Sequence, residues 1–145
     1  MITAQRTHDF SYGHRVNNQG GKCEHLHGHN GRITIVCAAI DSELDDVGRV
    51  IDFSVIKEKV CQWVEENWDH KFLVWIDDPW APALASVDPT TVWVDFNPTA
   101  ENLAKCLVEE VGPQVLKGTG VEVVQVIFEE TRKCSATYTK EGYCV

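Results

Sequence analysis

Apolar and polar residues alternate along several stretches of the chain, as they do in β-strands that bury one face. The alternation predicts strands at residues 2–14, 32–40, 91–96 and 121–130. One face of the second strand is predicted to carry Ile33, Ile35, Cys37 and Ala39, and one face of the last strand to carry Val124, Val126, Phe128 and Glu130. A carboxylate is therefore expected in line with a buried row of side chains.

Two other stretches place apolar residues three and four positions apart, which is typical of amphipathic helices. The first begins after Asp52, a natural N-cap, and extends to about Trp68. Its apolar face is formed by Phe53, Ile56, Val60, Trp63 and Val64. The second begins after Thr99 and is predicted to stop at Gly112 and Pro113, with a buried stripe of Leu103, Leu107, Val108 and Val111.

The order of these elements predicts the fold class. Residues 75–86 contain Pro79 and Pro82 and are predicted to form an ordered loop. The sequence strand, strand, helix, short strand, helix, strand favours a single α+β domain over residues 1–145, with a mainly antiparallel sheet and two helices on one face. The free edges and the other face of so small a sheet favour assembly with further subunits.

Composition and charge exclude several classes of function. Thirteen basic against twenty-two acidic residues leave a net charge of −9, which disfavours binding to nucleic acid or to anionic membranes. No apolar window has the length of a membrane helix, and the first residues lack the apolar core of a signal peptide, so a cytoplasmic protein is expected. The six cysteines are scattered without a CxxC pair and are expected to be reduced.

Four of the six histidines lie between His14 and His29, where a metal site is the natural interpretation. Residues two apart in an extended segment point the same way, so two of His25, His27 and His29 can bind one ion, with His14 as the third ligand. Spacing alone does not choose between the pairs. Three neutral imidazoles favour Zn²⁺ with an open coordination position. Cys23 is either a fourth ligand of a closed structural site or a base beside the metal.

Two further groups belong to types that transfer protons. Asp69 and His70 are adjacent after the first predicted helix, and Glu130 ends the last predicted strand. Each alone is more often an ordinary polar pair or an exposed strand end. Together with a metal and a thiol they describe a proton-transfer site, provided that the fold brings them together.

Six motifs in order resemble the 6-pyruvoyl-tetrahydropterin synthase family over almost the whole chain. They are FSYGHR at residues 10–15, KC and LHGHN within 22–30, VIDF at 50–53, WDHKFL at 68–73, NPTAENLA at 97–104 and ET at 130–131. The spacing CxxxHGH from Cys23 to His29 resembles the carboxy-tetrahydropterin branch of the family, which serves the queuosine pathway.

The resemblance implies a role for each residue of the histidine cluster. His14, His27 and His29 match the family's zinc ligands, and His25 is left as a bystander. Cys23 matches the family's catalytic base.

The resemblance also assigns the other polar residues. Asp69 and His70 match a proton-relay pair. Glu130 matches the carboxylate that binds the pterin and is sometimes counted in the relay, and Thr99 and Glu101 lie in a motif that lines the pterin pocket.

The fold and activity implied by the resemblance are specific. The fold is the tunnelling fold, in which trimers complete a barrel, two trimers stack into a homohexamer, and active sites lie between subunits. The activity is that of a zinc-dependent lyase that converts 7,8-dihydroneopterin triphosphate to 6-carboxy-5,6,7,8-tetrahydropterin, acetaldehyde and triphosphate. The alternatives are a 6-pyruvoyl-tetrahydropterin synthase and a non-catalytic zinc- or pterin-binding protein. Basic residues near the motifs are candidates for binding the triphosphate: Arg15, Lys22, Lys71 and Lys133.

Overall fold

The computed structural model describes all 145 residues and contains one six-stranded sheet with helices packed on it. The strands are β1 (Ala4–His14), β2 (His27–Ala39), β3 (Lys71–Trp75), β4 (Val92–Val94), β5 (Val121–Glu129) and β6 (Ser135–Thr139). Their order across the sheet is β4-β3-β1-β2-β5-β6. The pairs β1–β2, β2–β5 and β5–β6 are antiparallel, whereas β1–β3 and β3–β4 are parallel. The predicted α+β class is confirmed, with a sheet that is mixed at one end.

Two long helices and one short helix complete the fold. Helix α1 covers residues 53–67 and has a π-helical stretch at Lys57–Cys61. Helix α2 is Ala81–Val87, and helix α3 covers residues 100–115 with a π-helical stretch at Leu107–Val111. The two predicted N-caps are confirmed, because Asp52 accepts the backbone N–H of Ser54 and Thr99 accepts that of Asn102. No helix is long and apolar enough to span a membrane.

The core lies between the helices and one face of the sheet. The predicted stripe of α3 is fully buried there, and burial of each leucine side chain contributes roughly 2 kcal/mol. In α1, Ile56, Val60 and Val64 are buried as predicted, but Phe53 is 58% exposed. Helical spacing identifies the side of a helix that faces the core, and it does not show that the first turn already reaches that core.

A β-bulge corrects the predicted face of β5. Val36 of β2 pairs with Gln125 but Cys37 pairs with Val123, so Val124 has no partner in the ladder. The extra residue reverses the alternation, and Val124 packs with Val36 on the face opposite the main core. The prediction that Val124 shares a face with Val126 is therefore wrong.

Three elements were not predicted, and each has a physical reason. Strand β3 is only five residues long, and β6 is rich in serine and threonine and only half-buried. Helix α2 replaces the predicted loop because Pro82 lies in its first turn, where proline's missing N–H costs nothing. Helix α3 continues past Pro113 to Val115, since the π-helical stretch just before the proline has already changed the hydrogen-bond register.

Candidate active site

Three histidines converge at the joined ends of β1 and β2. His14 is the last residue of β1 and stands opposite His27, the first residue of β2, while His29 stands opposite Tyr12. The alternation of strand side chains puts all three imidazoles on one face, and one nitrogen from each ring lies within 4.8 Å of the others. The structure thus selects His27 and His29 from the HxHxH run and leaves out the ring of His25.

Backbone carbonyls orient two of these rings. The Nδ1 of His14 donates to the carbonyl oxygen of Pro98, and the Nδ1 of His27 donates to that of His25, both at 2.7 Å. A carbonyl only accepts, so each Nδ1 carries the proton and each Nε2 presents a lone pair. The Nε2 atoms of His14, His27 and His29 are all buried without a hydrogen-bond partner. Three convergent ring nitrogens without partners, two of them fixed as acceptors, fit a bound cation.

The charge state of the rings fits the same ligand. The His14 side chain is only 1% exposed, and burial lowers its pKa from 6.5 to about 4. Burial also lowers the pKa of His29, against the opposing effect of the Glu130 carboxylate. Both rings are therefore neutral near pH 7, as metal ligands must be.

The histidine cluster has room for a further ligand. Cys23 and Glu130 do not belong to the set of atoms that lie within 4.8 Å of one another. The two carboxylate oxygens of Glu130 lie 3.7 Å from Nε2 of His14 and 3.9 Å from Nε2 of His29, beyond hydrogen-bonding distance. The arrangement fits three protein ligands and an open position, which is typical of catalytic rather than structural zinc sites.

A cavity of about 210 Å³ gathers most of the other expected site residues. Its walls include four residues assigned from the sequence, namely Cys23, Thr99, Glu101 and Glu130. They also include residues that sequence reasoning missed, namely Val16, Gln19, Ala100, Cys134, Ser135 and Ala136. Cys134 reaches this cavity because it lies in the turn between β5 and β6, and the unpredicted β6 left no signal for that placement.

Hydrogen bonds hold the turn that carries Cys23 against the start of α3. Lys22–Glu24 forms a single 3₁₀ turn, and the carbonyl of Cys23 accepts the N–H of Val16 at 2.7 Å. Asn17 and Asn97 exchange two hydrogen bonds of 3.1 and 3.0 Å, which join the loop after β1 to the loop before Thr99. The thiol and the N-terminus of α3 are thereby brought to the same cavity.

Asp69 and His70 lie outside the cavity that holds Cys23. Asp69 accepts the N–H of Ser11 at 2.9 Å and the Nδ1–H of His70 at 2.7 Å. Partial burial opposes ionisation of Asp69, but these hydrogen bonds outweigh it and lower the pKa of the carboxyl group. Both residues line a surface pocket of about 550 Å³, and His70 also lines one of about 600 Å³ together with His27 and His29. Neither pocket includes Cys23.

The backbone of His70 is unusual. Its φ is +58°, in the left-handed region, and its N–H donates to the carbonyl of Ser11 at 2.7 Å. This conformation turns the chain from α1 into β3 and leaves the side chain 81% exposed. An exposed imidazole with a fixed carboxylate partner suits proton transfer to a group that arrives from outside the chain.

Tyr12 is a further residue of the site that sequence reasoning missed. Its ring is buried, stacks on Phe10 and meets His14 edge-on with ring centres 5.1 Å apart. Its hydroxyl group is buried without a hydrogen-bond partner, and burial together with the Glu130 carboxylate raises the pKa of Tyr12. Tyr12 thus packs against the ring of His14 and presents an uncharged hydroxyl near Glu130.

Arg15 differs from its predicted role as a triphosphate ligand. The side chain is 5% exposed, and its guanidinium group is occupied by protein partners. Lys22 and Lys133 are exposed and remain candidates for a triphosphate.

Comparison with known proteins decides the family. A sequence model described as 6-pyruvoyl tetrahydropterin synthase matches residues 3–141. The chain belongs to this family. The 6-carboxy-5,6,7,8-tetrahydropterin synthase of Rickettsia felis is 34% identical over 136 residues, covering 92% of this chain and 97% of the relative. The protein of the same name from Aquifex aeolicus is 31% identical and covers 94% and 96%.

Solved structures agree with this membership. An uncharacterized protein from Wolinella succinogenes superposes with a TM-score of 0.81 at 27% identity, covering 97% of this chain and 98% of the other. The 6-pyruvoyl tetrahydropterin synthase of Caenorhabditis elegans superposes with a TM-score of 0.69 at 24% identity, covering 97% and 96%. The tunnelling fold expected from the sequence is confirmed for the single chain, and the chain is a tetrahydropterin synthase by family.

Proposed function

We propose that this protein is a zinc-dependent lyase that converts 7,8-dihydroneopterin triphosphate and one water molecule to 6-carboxy-5,6,7,8-tetrahydropterin, acetaldehyde and triphosphate, for queuosine biosynthesis. The observation that carries the proposal is the convergence of three unpartnered Nε2 atoms beside a cavity that also holds Cys23 and Glu130. The names of the relatives from Rickettsia felis and Aquifex aeolicus support the carboxy branch of the family.

The metal would be held by His14, His27 and His29. When bound there, Zn²⁺ supplies Lewis-acid polarisation of the substrate's side-chain hydroxyl groups. The chain's contribution is preorganisation, because the Pro98 and His25 carbonyls already orient two rings and burial keeps His14 neutral.

Cys23 acts as the general base in this proposal. Its thiolate removes a proton from the side-chain carbon that carries a hydroxyl group. Cys23 is half-buried and lines the cavity, so the sulfur can reach a substrate that also reaches the histidines.

Glu130 binds the pterin. A carboxylate accepts two parallel hydrogen bonds from an amino-pyrimidine edge, which fixes the orientation of the ring. Thr99 and Glu101 line the same cavity, although the hydroxyl of Thr99 also caps α3. With the ring held at Glu130, the side chain of the substrate points toward the histidines.

Asp69 and His70 complete the site from a neighbouring subunit. Within one chain they border no part of the cavity that holds Cys23, while the ring of His70 stands free on the surface. We infer a homo-oligomer, a hexamer built from two trimers, in which His70 of one chain returns protons to substrate in the cavity of the next chain, with Asp69 orienting its imidazole.

The identity of the reaction product tests the proposed function. Zinc-loaded protein is incubated anaerobically with 7,8-dihydroneopterin triphosphate, and the pterin is identified by mass while acetaldehyde is assayed. The expected result is a carboxy-pterin with acetaldehyde. A pyruvoyl-pterin without acetaldehyde would transfer the protein to the other branch of the family. Unchanged substrate on fully zinc-loaded protein would refute the enzymatic role.

The matched controls are two cysteine variants. Cys23→Ala is expected to form product about a thousandfold more slowly, whereas Cys144→Ala, which removes an exposed cysteine outside the cavity, keeps full turnover.

A further inference from the structure

A buried ion pair joins the end of β1 to the segment before α2. Nε of Arg15 donates to Oδ2 of Asp78 at 2.6 Å, and the two residues are only 5% and 2% exposed. Asp78 also accepts the backbone N–H of Trp80 through its other oxygen at 2.8 Å. The carboxylate is therefore fixed from both sides.

The remaining donors of Arg15 reach the segment that carries the proposed base. Nη1 donates to the carbonyl of Glu24 at 3.2 Å, and Nη2 donates to the side-chain oxygen of Asn17 at 2.8 Å. The Trp80 ring covers the guanidinium plane, with 3.7 Å between its centre and Cζ. One side chain thus links three segments of the chain.

Stability alone does not account for this arrangement. Removing two charges from water costs several kcal/mol per ion, and a buried pair often contributes no more than apolar residues of the same volume. The planar guanidinium group fixes the directions of its hydrogen bonds, because its N–H donors are held in a rigid, forked arrangement. Here the fork points at the carbonyl of the residue that follows Cys23.

We propose that Arg15, held by Asp78 and Trp80, is a positioning residue that fixes the Lys22–Glu24 turn so that Cys23 faces the cavity beside the metal histidines. Segment 78–80 thereby controls the geometry of the catalytic thiol without touching the substrate. This inference rests on the proposed role of Cys23 as base. Because Arg15 follows His14 directly, one short stretch of backbone orients both a metal ligand and the base.

The test weakens the anchor and measures the thiol directly. Asp78→Ala leaves Arg15 without its carboxylate, so the turn loosens. Zinc-loaded protein is alkylated with iodoacetamide, and the rate at each of the six cysteines is followed by peptide mass spectrometry. We expect alkylation of Cys23 to accelerate by about tenfold, and kcat to fall by about tenfold to a hundredfold with KM nearly unchanged, as misplacement of a reacting group predicts.

Four of the other cysteines serve as internal controls. Cys144 is exposed outside the cavity and should react at the wild-type rate, whereas Cys37, Cys61 and Cys106 are buried and should stay protected. Cys134 lines the same cavity as Cys23 and is not used as a control. Arg49→Ala removes a surface arginine that pairs with Asp45 at 2.9 Å, and it should change neither Cys23 alkylation nor kcat.

Two further variants keep the inference testable if Asp78→Ala misfolds. Asp78→Asn retains an oxygen that accepts from Arg15 and should give an intermediate alkylation rate and kcat. Trp80→Ala removes the stacked ring at a half-exposed position and should shift both in the same direction by a smaller factor.

Each outcome separates this inference from the proposed reaction. Wild-type alkylation of Cys23 in folded variants with an anchor removed would overturn the positioning role, even if turnover fell. Faster alkylation of the buried cysteines as well would also overturn it, because the pair would then support the whole fold. If the wild type does not turn over the pterin triphosphate, the proposed function fails, while the alkylation rates still report whether Arg15 holds the turn.

Discussion

The two halves of the proposed catalytic machinery differ in how completely a single chain builds them. The first half, the histidine end, consists of His14, His27 and His29. It is buried and preorganised, because His14 is almost fully buried and carbonyl groups orient its ring and that of His27. The second half, the relay end, consists of Asp69 and His70. It is accessible to solvent, because the His70 side chain is 81% exposed and its backbone adopts a left-handed conformation. A metal site needs several ligands fixed by one rigid element, and the β1–β2 hairpin supplies them. A proton relay needs only one ring, which a second subunit can supply.

The largest effect is expected from a substitution in the histidine end. His14→Ala should abolish metal binding and reduce turnover below detection, because two imidazoles remain and His14 is the ligand on the opposite strand. Metal content per chain, measured by elemental analysis, checks this directly. The matched control is His25→Ala, which removes a ring outside the cluster but keeps the carbonyl that orients His27. Loss of metal in that control would contradict the assignment of ligands.

Removal of the proposed base should leave the metal in place. Cys23→Ala is expected to lower kcat by about a thousandfold, within the range for general bases, while zinc content stays at the wild-type value. Steady-state kinetics and elemental analysis are made on the same preparation. Zinc loss in this variant would favour the closed structural site in which Cys23 is a fourth ligand.

The relay end is expected to act across a subunit boundary. His70→Ala should lower kcat by about a hundredfold, as for loss of a general acid or base. If sites lie between chains, mixed oligomers of His70→Ala and Cys23→Ala contain some sites with both wild-type groups, so activity returns on mixing and reassembly. Mixtures that stay as inactive as the separate variants would place both groups in one chain and contradict the shared site.

Local patterns explain why the histidine end was predictable from the sequence. A period of two places His27 and His29 together, and the antiparallel pairing of β1 with β2 brings His14 to them. The caps at Asp52 and Thr99 are equally local, and the structure has both.

Long-range contacts explain what the sequence did not predict. Arg15 and Asp78 are 63 positions apart, and no periodicity relates them, so the sequence indicates Arg15 only as a candidate triphosphate ligand. The bulge at Val124 depends on how β5 pairs with β2. The apolar pattern of β5 alone does not predict that pairing. The half-exposed β6 lacks the apolar face that signals a strand, and Cys134 was missed with it.

The smallest expected effect is a decrease in the free energy of unfolding of the metal-free protein at acidic pH. Burial lowers the pKa of His14 to about 4 in the folded chain, against 6.5 for an ordinary histidine, so between these values the unfolded chain binds more protons. The free energy of unfolding is therefore highest above pH 6.5 and should decline by at most about 3 kcal/mol as pH falls to 4. Urea unfolding of the metal-free protein at several pH values measures this slope, and His14→Gln, which cannot titrate, should reduce it. An unchanged slope in His14→Gln would show that proton uptake at another group, and not the buried ring of His14, limits the acid stability of the histidine end.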